Sequence, residues 1–349
     1  MATNSFIQVP PDSTGKKLQS KQHVIGPNTV QTQVYHVASG DDPNNLQFVD
    51  NRGQAYTRFA EGSPSMDAFG NLRVSSAKIL GSYEYTNSDM ADLFSDVSIG
   101  SGSITYQPNA SQVTLSVSSA ASDSISRTTN RYHYYQPGVG NLIITTLALG
   151  DSGKAGNIRE WGYADERNGL LLRLTGTVLQ AVLRSDVSGS VVEEIVDQTN
   201  WNGDKLDGTG KSGVDLDLTK ANFYWIDFAW LGVGPVRFGV LAPDGSRWVC
   251  HTFENPNNRL GAYMASGSLP LHFHNHNTAL TSGTSEMKLI CAAVYAESSV
   301  DYTFWRFSDV EANNKTILTN TPIVSMRPKM SYSGKVNRIG LYPESISVY

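Results

Sequence analysis

The stretch 221–240, ANFYWIDFAWLGVGPVRFGV, constrains the fold more than any other part of the sequence, because its apolar side chains recur with period two. Tyr224, Ile226, Phe228 and Trp230 fall on one side of an extended chain, and Phe223, Trp225, Asp227, Ala229 and Leu231 on the other. Both sides are apolar apart from Asp227, the pattern of a strand covered on both faces. Pro235 has no amide proton to give to a ladder, so the sequence predicts a hairpin with 231–235 as its loop. That register sets Trp230 opposite Val236, Phe228 opposite Phe238 and Ile226 opposite Val240, with Asp227 diagonal to Arg237 as a structural ion pair. Pro243-Asp244-Gly245 then turns the chain into a third strand through Trp248 and Phe253, completing an antiparallel meander.

The same alternation of short apolar segments with Gly, Asn, Asp and Ser turns runs from about 76 to 310. Strands are expected at 104–106, 112–117, 141–149, 170–174, 178–184, 269–277 and 288–295, and one short helix at 88–94. Regular turn spacing and few helical periods give an all-β class, an antiparallel jelly-roll sandwich. Residues 1–75 hold no sustained period and only short strand-like pieces such as 29–37, so they are expected to form an extended docking arm. Residues 311–349, polar with a basic and aromatic end, are expected to form a docking tail. The chain has neither an internal repeat nor heptads, which excludes a coiled-coil shaft.

At 349 residues the chain can bury a sizeable core. Charged residues make up 17%, below the roughly 25% of an average globular chain. The net charge of −5 and the scattered Lys and Arg argue against direct nucleic-acid binding. No run of about 18 apolar residues suits a membrane span. The start MATNSFIQVPPDS has neither a basic n-region nor an apolar h-region, so export by a standard signal peptide is not expected. Cys250 and Cys291 each sit in an expected strand, where a small buried thiol is the usual occupant; nothing in the sequence indicates a disulfide between them.

Catalytic signatures fail on inspection. GTGKS at 208–212 lacks the glycine a phosphate-binding loop needs where Lys205 stands, and a strand follows it instead of a helix. Gly150-Asp151-Ser152-Gly153 resembles a serine-protease nucleophile segment, but Lys154 follows and no upstream His lies in a matching context. The zinc-binding H-E-x-x-H and the G-x-S-x-G elbow are absent. Two patterns keep chemical interest. His272, His274 and His276 share one strand face, either as a polar or interface row or as transition-metal ligands. Asp204, Asp207, Asp215 and Asp217 form either an ordered Gly/Asp turn network or a loop for a hard cation, with a spacing that departs from the calcium-loop pattern. No cofactor is expected.

The segment Ser65-Met66-Asp67-Ala68-Phe69-Gly70-Asn71-Leu72-Arg73-Val74-Ser75 precedes, far downstream, Trp201-Asn202-Gly203-Asp204, Leu206-Asp207-Gly208, Ser212-Gly213, Trp225-Ile226-Asp227 and Trp230-Leu231-Gly232. Together these resemble a family of structural proteins of tailed bacteriophages, over roughly residues 56–300. The resemblance implies a virion component without enzymatic activity. The sandwich itself is similar to concanavalin-like and laminin-G-like domains, with GLLLRLTGTVLQAVLRSD as their long hairpin; a shared fold does not fix function.

Two classes of function follow. The first is a non-enzymatic, homo-oligomeric virion structural protein of the tail, neck, head appendages or capsid decoration. It would be made in the host cytoplasm and would clasp copies of itself and other virion proteins through its arm and tail. The second is a receptor-binding module for host surface glycans, with Tyr132, Tyr134, Tyr135 and Trp161 as contacts.

Overall fold

The computed structural model describes residues 66–68, 73 and 76–298 in full, together with the backbone of strands at 4–8, 17–25, 28–33, 331–332 and 335–336. The chain divides into two compact units, Met1–Glu61 and Gly62–Tyr349. In the first, β1 (Asn4–Gln8), β2 (Lys17–Ile25) and β3 (Asn28–Gln33) form an antiparallel sheet in that order. Of the strand piece expected at 29–37, the described part lies in Asn28–Gln33, inside a ladder. The rest of the expected arm, apart from 66–68 and 73, lies outside the described residues.

The second unit is the expected antiparallel sandwich. Its strands are β4 (Lys78–Glu84), β5 (Phe94–Ile99), β6 (Ser103–Gln107), β7 (Gln112–Val117), β8 (Ser124–Thr129) and β9 (Asn141–Ala148). They continue with β10 (Asn157–Ala164), β11 (Gly169–Thr175), β12 (Val178–Ser185), β13 (Val192–Asp197), β14 (Ala221–Phe228) and β15 (Val236–Leu241). The last of the body are β16 (Arg247–Phe253), β17 (Leu271–Asn277) and β18 (Ser285–Ala296). One sheet runs β13-β12-β11-β10-β17-β8-β5; the other runs β16-β15-β14-β9-β18-β7-β6, with β4 also paired to β18. Of the expected C-terminal tail the described part is a small ladder, β19 (Ser331–Tyr332) with β20 (Lys335–Val336).

Alternation along each strand supplies the core between the sheets. Trp161 on one sheet meets Tyr224 on the other, with ring centroids 5.0 Å apart, and Tyr163 meets Phe228 at 5.5 Å. Leu115, Leu172, Phe238 and Phe273 are buried in the same cluster. Each such side chain stabilises the fold by about 1.5–3 kcal/mol relative to exposure.

The hairpin register differs from the one the sequence predicts. Phe228 pairs with Val236, Ile226 with Phe238 and Tyr224 with Val240, so the loop is 229–235 and Asp227 lies directly opposite Arg237. A two-residue shift preserves which face each side chain occupies, so the assignment of faces holds although the pairing does not. Contacts from a distant segment fix the longer loop. Tyr263 donates its amide to Gly232 O (2.8 Å) and Trp230 Nε1 donates to Met264 O (3.2 Å), drawing Trp230 out of the ladder and edge-on against Tyr135. Leu231 and Gly232 turn through φ 35° and 81°, which tightens the reversal.

Two smaller differences have local causes, and the burial of Trp225 agrees with a strand covered on both faces. The helix expected at 88–94 is a single 3₁₀ turn, Ala91–Leu93, because Phe94 already begins β5. Cys250 is buried, as expected, but Cys291 is exposed, beside an irregularity in the β18–β9 ladder; both thiols are free. Trp225 is buried on the outer side of its sheet because its register partner is Gly239. A Cβ there would lie 2.1 Å from the indole, whose Nε1 donates to Val240 O at 3.1 Å.

The two edges of the seven-stranded sheet are unlike. β13 carries Glu193 and Glu194, the latter paired with Arg259, and such charges discourage further pairing. β5 carries a single charge, Asp96, itself exposed and paired with the buried Arg127 (2.8 Å), while Val97 and Ile99 stand 55% and 57% exposed.

Candidate functional site

The outward face of the seven-stranded sheet gathers the densest polar chemistry among the described residues. Register places Gln180, Arg173, Glu160, His274, Ser126 and Val97 in one row across it. Arg184 and Glu193 pair two rows away, and Leu171 and Val182 occupy the row between. The charged side chains bridge that row. Arg173 reaches Glu160 Oε1 and Glu193 Oε1 (Nε to Glu160, 2.6 Å; Nη2 to Glu193, 2.7 Å), and Arg184 Nε meets Glu193 Oε1 at 2.8 Å. Arg184 Nη2 also approaches Glu160 Oε1 at 3.4 Å. In the row between, Leu171 and Val182 join Ala164 in a small buried apolar cluster.

Glu160 is the centre of the network and is itself buried. Burial alone would raise its pKa, but His274 and the Arg173 and Arg184 charges outweigh burial and hold the carboxyl well below its ordinary value. Glu193 is lowered in the same way, against its own burial, by its bonds to Arg173 and Arg184.

The three histidines lie on this face, as their spacing predicts. His272 Nδ1 lies 2.8 Å from Thr128 Oγ1 and His274 Nε2 lies 2.8 Å from Ser124 Oγ, both hydroxyls coming from β8. His274 and His276 stack with ring centroids 4.2 Å apart. Burial, followed by proximity to His274, lowers His272 and His276 to about 4, so both are neutral near pH 7. Glu160 sits directly opposite His274, with His274 Nδ1 3.6 Å from Glu160 Oε2. Sequence reasoning missed Glu160 because its place beside the histidines depends on β10 pairing with β17, far apart in the chain. Its outward parity, alternating with the inward Trp161, was the one available signal.

On the other sheet's outer side the Asp227–Arg237 pair belongs to a larger buried cluster. Arg237 Nη2 bonds Asp227 Oδ2 at 2.6 Å, and Arg73 bonds both Asp227 and Glu297. Arg237 Nη2 also donates to Met66 O at 2.5 Å. Burial lowers the pKa of Arg73 and of Arg237 and raises that of Glu297. Arg73 and the Trp-Ile-Asp strand, widely separated in sequence, thus meet in one ion cluster.

The aspartates of the 201–218 loop serve its own turns. Asp204, buried, accepts the amides of Leu206 (3.0 Å) and Ser212 (2.7 Å). Asp207 and Asp217 each accept the amide and hydroxyl of the threonine two residues on, and Asp207 and Asp215 face one another across an isolated bridge. Among the described residues these carboxylates do not converge on one point; the metal-competent group there is Glu160, His272 and His274.

The four aromatic residues weighed as glycan contacts separate by parity. Trp161 (0% exposed) and Tyr135 point into the core, whereas Tyr132 is half-buried and Tyr134 is 40% exposed. Tyr132 Oη lies 3.4 Å from Asp165 Oδ2. A recess of about 260 Å³ beside Asp151, Lys154, Glu286 and Lys288 is polar and is lined by none of these groups. Among the described residues no helix is long and apolar enough to cross a membrane.

No protein-family model matches the chain, and no curated protein sequence matches it. Among solved structures it is similar to the carbohydrate recognition domain of Emp47p, at 12% identity over 64% of this chain and 98% of that one, with a TM-score of 0.40. It is also similar to a legume lectin-like domain from Entamoeba histolytica (10% identity, 63% and 99% covered, TM-score 0.37). A glycoside hydrolase family protein from Mycobacterium thermorestibile matches at 10% identity, with 62% and 100% covered and a TM-score of 0.40. Likenesses this distant carry nothing about ligand or activity.

Proposed function

We propose that this chain is a non-enzymatic structural subunit of a tailed-bacteriophage particle that associates with copies of itself through strand β5. The observation that carries the reading is the unguarded β5 edge. Its outer backbone groups have no ladder partner among the described strands, and its side chains Val97 and Ile99 are exposed. A second copy related by a two-fold axis would pair β5 with β5 antiparallel and continue the sheet across both subunits. The phage assignment rests on the resemblance over 56–300, and the residues that carry it are spent on structure: Arg73 and Asp227 in a buried ion cluster, Asp204 in loop turns. Replacing both Val97 and Ile99 with Lys is expected to abolish self-association of the full chain in light scattering while leaving its circular dichroism unchanged. Self-association equal to that of the unaltered chain would refute the β5 interface.

Glycan recognition is the second reading, favoured by the exposed Tyr134 and by the half-buried Tyr132 beside Asp165, since an aromatic face beside a carboxylate suits a sugar's apolar and hydroxyl faces. A glycan array probed with the full chain and with Tyr134→Ala tests it. Binding lost in the variant supports this reading, and the absence of any bound glycan removes it.

A further inference from the structure

We propose that Glu160, His272 and His274 form a binding site for a divalent transition-metal ion of the zinc, cobalt or nickel type. The inference goes beyond the assembly reading and does not depend on it.

The three side chains converge because of the register. His272 and His274 are two residues apart on β17, so both project outward, and Glu160 on β10 is the direct partner of His274. One ligand atom from each lies within 4.8 Å of the other two. The 3.6 Å between His274 Nδ1 and Glu160 Oε2 is already near the roughly 3.3 Å that separates two ligands on a tetrahedral ion with bonds of about 2.0 Å. Gly162, the register partner of His272, brings no side chain to crowd the place.

The surroundings orient each ligand. Thr128 Oγ1 takes up Nδ1 of His272 and leaves its Nε2, while Ser124 Oγ takes up Nε2 of His274 and leaves its Nδ1. With an ion bound, each ring would donate the hydrogen of its occupied nitrogen to a β8 hydroxyl and turn the lone pair of the other toward the metal, the arrangement that outer hydrogen bonds impose on metal-binding histidines. Glu160 is arranged likewise: the arginines bind Oε1, and Oε2 faces the histidines. Arg173 and Arg184 do not leave a cationic site, because Glu160 and Glu193 balance them. Two nitrogen donors and one carboxylate favour a borderline ion over calcium or magnesium, which take oxygen ligands. His276, stacked on His274, lies outside the ligand set.

The test is titration of chelator-treated full chain with cobalt(II), followed by visible absorption and by elemental analysis after dialysis. The expected result is one cobalt per chain with the intense absorption of a four- or five-coordinate ion. His272→Ala and His274→Ala are expected to abolish it, Glu160→Gln to weaken binding at least tenfold, and His276→Ala to retain it. Circular dichroism of each variant separates lost binding from lost fold, and the two histidine variants keep the test decisive if Glu160→Gln does not fold. No cobalt retained by the unaltered chain, or equal retention by folded His272→Ala and His274→Ala variants, would overturn the proposal.

Discussion

At the scale of single residues, buried charge decides most. Asp227 sits between two guanidiniums with no exposure, and its register partner Arg237 is also buried. Removing the carboxylate leaves two buried cations without their shared partner, so Asp227→Ala is expected to lower stability by about 3–5 kcal/mol in urea denaturation. A loss under about 1 kcal/mol would contradict a structural role for the cluster. Buried histidines give a second handle. Burial lowers His133 and His251 to about 4, and neither is exposed enough for solvent to screen it. Between about pH 6.5 and 4 the unfolded chain binds these protons and the folded chain does not, so stability is present above 6.5 and is lost as pH falls through that window. His133 contributes a slope of up to about 1.4 kcal/mol per pH unit, and His251, less completely enclosed, contributes less. The carboxylates held low by arginines, Glu160 and Glu193, lose their contribution only below about pH 4.5. Urea midpoints from pH 4.5 to 7.5 check this, and a flat profile over that range would contradict it.

At the scale of elements, local pattern fixed faces while distant contacts fixed register. The period-two alternation of 221–240 correctly separated core-facing Tyr224, Ile226 and Phe228 from outward Trp225 and Asp227, because parity is a property of the strand alone. The pairing slipped by two residues, because the loop is anchored by Tyr263 and Met264, which no local signal in 229–235 announces. The histidine row was legible for the same reason as the faces, and Glu160 was not, since strand order across a sandwich is a long-range fact. Gly239 tests the packing of one element on the next. Gly239→Ala puts a methyl group 2.1 Å from the Trp225 ring and 2.3 Å from Trp248 O, at a cost of about 1–3 kcal/mol. A lowered melting temperature with red-shifted tryptophan emission is expected; an unchanged melt and spectrum would contradict the close approach.

At the scale of the whole molecule, the sandwich carries a continuous core of its own within Gly62–Tyr349. Residues 62–349 expressed alone are therefore expected to unfold cooperatively, and a broad, non-cooperative melt would show that the first unit completes the fold. The proposed role of this body is to join copies of itself through β5, which lies at an edge of its sheet among the described strands. The most direct test is the mass of the full-length chain in solution, measured by light scattering over a wide range of concentrations. The account predicts a closed oligomer whose mass falls to that of one chain when Val97 and Ile99 are both replaced with Lys. A single-chain mass for the unaltered protein at every concentration would contradict it.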